Sequence, residues 1–335
     1  MRNESRKVFN QYLEQLARLN GVDTVEKKFS VQPSVQQTLE TRMQESSEFL
    51  SKINVIGVNE QQGEKLGLGI STTIAGRTDT TQNDRNPTDP TDLEGSAYNC
   101  VQTNFDTALR YSKIDAWAKF ADFQTRIRDA ILKRQALDRI MIGFNGTSVA
   151  TQSNRSTNPL LQDVNKGWLQ KMREFAAERV LAEVVDASGK VTVGAGQDYE
   201  NLDALVYDLV NNMIDPWHQD DTELVVITGR KLLSDKYFPL VNSDLAPTEK
   251  VAADMMISQK RIGGLQAVRV PHFPANTVMV TRLDNLSLYW QEGARRRTVV
   301  DNAKRDQIEN YESSNDAYVV EDYGCAAVAE NIELV

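Results

Sequence analysis

Residues 116–144, AWAKFADFQTRIRDAILKRQALDRIMIGF, carry the strongest helical signal in the chain. Phe120, Phe123, Ile127 and Ile131 fall on one stripe, which resumes at Leu137, Ile140 and Phe144. Neither proline nor glycine interrupts it before Gly143. At 1.5 Å per residue such a helix would be roughly 40 Å long, enough to serve as the backbone of a lobe. Arg126, Arg128, Lys133, Arg134 and Arg139 make it basic, partly offset by Asp122, Asp129 and Asp138. That pattern reads as a solvated face with i,i+4 ion pairs. A contact with an acidic segment of another copy is the sharper alternative.

Upstream, helical periodicity vanishes from residue 53 to residue 104. Glycines recur at 57, 63, 67, 69 and 76, residues 66–70 alternate Leu-Gly-Leu-Gly-Ile, and residues 78–92 are almost all Thr, Asp, Asn, Gln and Pro. Two thin strands around a tip that cannot bury apolar surface make a long hairpin. A two-stranded hairpin is barely stable alone, so it is expected to lie on a neighbour. Before it come two amphipathic helices. Val8, Tyr12, Leu16 and Leu19 mark the first, which Asn20-Gly21 should stop; Pro33-Ser34 opens the second, with Val35, Leu39, Met43, Phe49 and Leu50 apolar. Lys27, Lys28, Phe29 and Ser30 read as a flexible link between them.

Downstream the pattern is mixed. Helices are expected at 168–181, 199–214, 231–237 and near 251–260. A hairpin is expected over 184–193, turning at Asp186-Ala187-Ser188-Gly189. Leu224-Val225-Val226-Ile227 has the unbroken apolar run of a buried strand. Further strands are expected at 267–270, 277–281 and 286–290, and strand-like alternation runs from 307 to 335. The fold class is α+β: two lobes, a projecting arm and an N-terminal extension.

Composition narrows the function classes. The chain has 335 residues, 25% charged and 40% hydrophobic, and a net charge of −9. An acidic chain gains no sequence-independent attraction to DNA, which argues against a repressor but not against a wall around DNA. No apolar run is long enough to cross a bilayer, and the first twenty residues lack the apolar core of a secretory signal. Cys100 and Cys325 are read as buried or half-buried thiols, with a structural disulfide as the minor alternative. With only His218 and His272, no multi-histidine metal cage can form. His218, amid Asp215, Asp220, Asp221 and Glu223, is read as part of a solvated acidic loop, and His272 as packing against a turn. Gly194-Ala195-Gly196 and Gly229-Arg230-Lys231 lack the further residues of phosphate loops. Arg295-Arg296-Arg297 is read as a surface or inter-subunit salt-bridge patch. No catalytic, cofactor or metal residue is nominated.

Several strings together resemble the major capsid proteins of P2-like tailed phages. They are Lys27-Lys28-Phe29-Ser30-Val31, Met43-Gln44-Glu45-Ser46-Ser47, Asp122-Phe123-Gln124 with Arg126-Ile127-Arg128, Gly143-Phe144-Asn145-Gly146, Gly167-Trp168-Leu169-Gln170-Lys171, Asp235-Lys236-Tyr237-Phe238-Pro239 and Tyr318-Val319-Val320-Glu321-Asp322-Tyr323. The resemblance spans nearly the whole chain and implies an HK97-like capsid fold. Its parts would be an N-terminal arm (1–52), an extended loop (53–108), a peripheral domain with the spine helix (109–198), an axial domain (199–285) and a return to the peripheral domain (286–335). It implies a non-enzymatic shell subunit of pentamers and hexamers, without cofactors, enclosing double-stranded DNA without sequence-specific binding. It further implies a scaffold that doubles as maturation protease and trims the N-terminus near Phe29 and Ser30. A portal protein at one vertex, a satellite-encoded size-determining scaffold, assembly in the host cytoplasm and residence in the virion complete the expectation. The shell of a cellular nanocompartment holding enzyme cargo, and a soluble α/β hydrolase or transferase, are the rival readings.

Overall fold

A computed structural model describes residues 1–65, 69–70, 75, 77–79, 82, 91–92, 97–117, 120, 122–234, 236 and 260–335. Most of the polar tip at 78–92, residues 66–68 of the alternating strand, residues 251–259 of the helix expected near 251–260, and residues 235 and 237 of the one at 231–237 lie outside the described residues. Residues 231–234 and 236 are helical as expected, and Lys260 sits in a turn.

The chain opens with helix α1 (Asn3–Asn20), strand β1 (Phe29–Ser30) and helix α2 (Pro33–Glu45). Gly21 ends α1 in the left-handed region at φ 64°, and the Val22 N–H bonds back to the Ala17 carbonyl at 3.0 Å. Pro33 opens α2, where its missing N–H costs nothing. Strand β2 (Asn54–Val58) joins a large sheet. The chain then leaves it as a hairpin: β3 (Gln62–Glu64) pairs with β6 (Ala97–Asn99), and β4 (Gly69–Ile70) with β5 (Thr91–Asp92). It returns through β7 (Val101–Asn104) and β8 (Thr107–Arg110).

The long helix differs at its start from the expected 116–144. Helix α3 (Tyr111–Trp117) is separate, and α4 runs Phe123–Asn145. Asp122 opens α4, accepting from the Arg126 N–H at 3.0 Å and from Arg126 Nε at 2.8 Å. Phe120, expected on the buried stripe, is instead exposed beneath the Arg126 guanidinium, 4.4 Å from the ring centroid. From Arg139 to Phe144 α4 is buried on every side, as a helix running through a core should be.

Next come α5 (Trp168–Phe175), β9 (Val180–Leu181), β10 (Val191–Val193), α6 (Leu202–Asp208) and α7 (Pro216–Gln219). The helix expected to reach 181 ends at Phe175, where Ala176 turns to φ −144°. The Asn201 side chain caps α6 by accepting the Ala204 N–H at 2.9 Å, and a π-helical turn continues it to Met213. The hairpin expected over 184–193 does not form. Strand β10 pairs in parallel with the C-terminal strand β19 (Ile332–Leu334), and β9 with β18 (Ala326–Ala329). Local turn residues read correctly as a turn cannot reveal that each flank has a distant partner.

The remaining strands are β11 (Val225–Thr228), β12 (Arg261–Ile262), β13 (Leu265–Arg269), β14 (Val278–Thr281), β15 (Leu286–Gln291), β16 (Arg296–Asn302) and β17 (Gln307–Val320). A seven-stranded sheet has the order β1-β16-β17-β15-β2, with β7 and β8 also pairing along β17. A six-stranded mixed sheet has the order β12-β13-β11-β14-β18-β9. Strand β11, buried at all four positions, lies between a parallel and an antiparallel neighbour. One core joins α4 and α5 to the faces of both sheets through Phe49, Phe144, Trp168, Ile227, Leu288 and Tyr318. A second lies under α6, around Leu205, Val226, Val280 and Ile332. A third holds α1.

Candidate functional site

Helix α2 buries Gln36, Glu40 and Met43, so its inner face carries a carboxylate. Two arginines meet it. Arg139 of α4 donates to Glu40, to Asp316 through Nε and Nη2, both at 2.9 Å, and to Ser314 Oγ at 3.2 Å. Arg295 donates to Glu40 Oε1 at 2.6 Å, Glu312 Oε1 at 2.7 Å and Gln135 Oε1 at 2.9 Å. Gln135 Nε2 returns a bond to Glu312 at 3.1 Å. Both guanidiniums and all three carboxylates are shut away from solvent, Arg139 at 1% and Arg295 at 0% exposure. A buried charge survives only if paired, and here each is held by opposite charge and by hydrogen bonds in fixed geometry. Burial opposes ionisation of Glu312, but Arg295 and Arg297, then the bonds from Arg295 and Gln135, outweigh it and bring its pKa to about 2. Burial likewise opposes Glu40, and Arg139 and Arg295 hold it below the usual carboxylate range. The network bolts the second arm helix to the long helix and to β17.

This overturns two sequence expectations. The Arg295–Arg297 run is no surface patch: Arg295 is fully buried, Arg297 donates to Asn310 Oδ1 at 2.7 Å and Tyr12 at 3.0 Å, and Arg296 reaches Ser30 and the Gly293 carbonyl. The basic face of α4 is only partly solvated. Arg126–Asp122 and Arg134–Asp138 are i,i+4 pairs, whereas Arg139 points inward. The signal that could have found the network was the spacing of Gln36, Glu40 and Met43, which puts an acid on an apolar stripe.

The segment of Phe29 and Ser30 was expected to be a flexible link. It is instead the edge strand of the large sheet, in antiparallel register with Arg297 and Arg296. Phe29 is buried and Ser30 exposed; the Ser30 hydroxyl donates to the Gly293 carbonyl at 3.0 Å and accepts from Arg296 Nη1 at 2.7 Å. The Phe29-Ser30-Val31 alternation, buried-exposed-buried, is the strand signal overlooked beside two lysines.

Helix α1 also docks on its own body. Phe9 and Leu16, with Val25, Phe29 and Val31, pack on Ile114, Ile127, Val299 and Ile308. The Arg2 N–H bonds Asp115 Oδ1 at 2.9 Å, and Arg6 pairs with Asp301 at 2.9 Å. The buried stripe is rotated from the one anticipated: Phe9 is buried while Leu19 is 52% exposed. Helix α1 thus packs in cis, on α3, α4 and the large sheet of its own chain.

His218 Nε2 lies 3.0 Å from Asp322 Oδ2, while Asp221 and Glu223 pair with Arg282, so the acidic loop is tied down by an arginine. No cluster of three or more metal-ligating side chains occurs among the described residues. His272 sits in the left-handed region, φ 63°, in a turn whose carbonyl accepts from Asn145. Cys100 and Cys325 are buried free thiols, pushed up by burial to about 12 and about 11. Among the described residues no helix is long and apolar enough to cross a membrane.

Comparison with known proteins places this architecture among shell subunits. Residues 8–332 match the model of a phage major capsid protein family, the P2 family. The capsid protein of Escherichia phage P2 is 53% identical over 342 residues, covering 100% of this chain and 96% of that one. The major capsid protein of Serratia phage KSP20 is 42% identical, covering 99% and 97%. Among solved structures, a chain of the satellite phage P4 procapsid, which includes the size determination (Sid) protein, superposes with a TM-score of 0.83 at 50% identity, covering 100% and 99%. The capsid of an empty GTA particle gives 0.53 at 13% identity, covering 86% and 90%, a likeness of fold alone.

Proposed function

Because the chain belongs to the P2 family of phage major capsid proteins, with their HK97-like α+β fold, and is the major capsid protein of a phage head, we propose that it builds a scaffolded procapsid of pentamers and hexamers that encloses double-stranded DNA. Residues 1–52 act as the arm and 53–108 as the extended loop. Residues 109–198 and 286–335 form the peripheral domain, and 199–285 the axial domain. Each copy contributes many weak contacts, and repetition closes them into a shell. A net charge of −9 suits a wall that must not grip the polymer inside it.

The observation that carries this reading is the identity to a phage capsid protein along the whole chain, arm and hairpin included. A scaffold with protease activity trims the arm at Phe29 and Ser30, a portal occupies one vertex, and assembly takes place in the host cytoplasm. A satellite-encoded scaffold of the kind present in the P4 procapsid redirects shell size. Expression of the full chain with its scaffold, followed by electron microscopy, tests the assembly. Closed shells of uniform size are expected, and soluble small oligomers alone would overturn it. Intact mass of virion subunits tests the trimming: loss of the first 29 or so residues is expected, and uncut chains throughout would overturn it.

A further inference from the structure

Two exposed features stand out among the described residues. The first is a groove of about 230 Å³ between α5, the base of the hairpin and β17. Phe175 and Val149, 54% and 47% exposed, supply apolar wall, and Tyr98 closes one side. Two lysines stand in it. Lys166 is satisfied by Glu174 at 2.8 Å. Lys171 lies 5.1 Å from the centroid of the Phe175 ring, and among the described residues no carboxylate reaches it at ion-pair distance. Its burial favours the neutral amine, partly opposed by Glu174 and reinforced by Lys166. A half-buried ammonium against an aromatic ring is stabilised by an incoming anion.

The second feature is the loop that replaces the expected 184–193 hairpin. Val184 and Val185 stand 45% and 60% exposed at its tip, with Asp186 beside them. The tip is built: the Gly189 N–H donates to Glu183 Oε2 at 2.7 Å and the Ser188 N–H to the Val185 carbonyl at 2.9 Å. A pre-shaped loop that presents two valines and a carboxylate to water has the complementary character of the groove: apolar against apolar, anion against unpaired cation.

We propose that the Val184–Val185 tip of one copy seats in the Phe175–Val149 groove of the next, with Asp186 paired to Lys171. Tip and groove are different surfaces, so the contact is head-to-tail and propagates around a ring rather than stopping at a two-fold dimer. The inference rests on the shell-subunit reading and names one contact through which that shell is built.

Charge exchange tests it. Full-length chain with its scaffold is compared as wild type, Asp186→Lys, Lys171→Glu and the double variant. Each single reversal sets like charges together at every repeat and is expected to cut shell yield at least about tenfold, while the double variant recovers most of it. Wild-type yield from both single variants, or no recovery in the double, overturns the contact. The second readout does not need shells: Val185→Cys with Val149→Cys, oxidised at high protein concentration, is expected to give intermolecular disulfide ladders on a non-reducing gel. Absence of ladders in both concentrated chain and shells overturns the contact. Ladders without closed shells from the wild-type chain would instead sink the capsid reading and leave the contact standing.

Discussion

Arg295 Nη1 lies 2.6 Å from Glu40 Oε1, joining the second arm helix to the strand turn of the large sheet across 255 residues of sequence, with neither partner exposed to water. Removing the acid leaves Arg139 and Arg295 short of a counter-charge in a dry core. Glu40→Gln is therefore expected to destabilise the folded chain by about 3–5 kcal/mol in urea unfolding. The exposed Lys52–Glu48 pair is the control: Glu48→Gln should leave the urea midpoint close to wild type. Equal effects from the two would contradict the network's role.

Acid should act on the same network from another side. Glu312 ionises with a pKa of about 2 in the fold, against 4.5 as the ordinary value. A depressed carboxyl contributes stability above its unfolded pKa and loses that contribution as pH falls toward the folded one. The urea midpoint should therefore drop steeply between pH 4.5 and pH 2, and Glu312→Gln, though less stable at neutral pH, should show a shallower dependence in that window. An unchanged slope would show that other groups govern the acid transition.

Gly143 sits inside α4, where helix propensity alone favours alanine by about 1 kcal/mol. Its missing side chain is filled by Trp168: a Cβ there would stand 2.2 Å from Cζ3 of an indole fully buried and bonded through Nε1 to the Ser287 carbonyl at 3.0 Å. Gly143→Ala should therefore lower the melting temperature by several degrees, the overpacking cost of about 1–3 kcal/mol outweighing the propensity gain. A raised melting temperature would mean that the indole can move aside.

Deletion of residues 77–92 should leave the subunit folded. The rungs β3 and β6, which close the hairpin, and the pairing of β2 with β15 all lie outside the deletion. Circular dichroism and the unfolding midpoint are expected to stay near wild type, while electron microscopy shows irregular or no shells. Normal shells would count against an inter-subunit role for the hairpin.

What could be seen in the sequence followed from local period. The long helix, the stop at Asn20-Gly21 and the buried strand at Val225 each announce themselves within a few residues. Partners distant in the chain do not. Val191 reads as half a hairpin until Ile332 is known to lie beside it, and Arg295 reads as surface until Glu40, Gln135 and Glu312 are brought to it. Residues 27–30 read as a link between two helices, but the place of Phe29 and Ser30 at a sheet edge depends on Arg296 and Arg297, which come more than 260 residues later.

That edge position makes a last prediction. A protease needs the strand of Phe29 and Ser30 free and extended, yet here Arg296 donates to the Ser30 hydroxyl at 2.7 Å and Phe29 is buried under α1. On the proposed trimming, cleavage must wait on local opening of β1, whose population follows its opening free energy when reclosing outpaces cleavage. Arg296→Ala removes the bond that holds Ser30, about 0.5–1.5 kcal/mol, and should speed the proposed trimming roughly two- to tenfold in isolated procapsids, read as intact subunit mass against time. Phe29 keeps its contacts in that variant, so the recognised residues are unchanged and the effect isolates strand release. An unaltered rate would mean that assembly frees β1 before the protease acts.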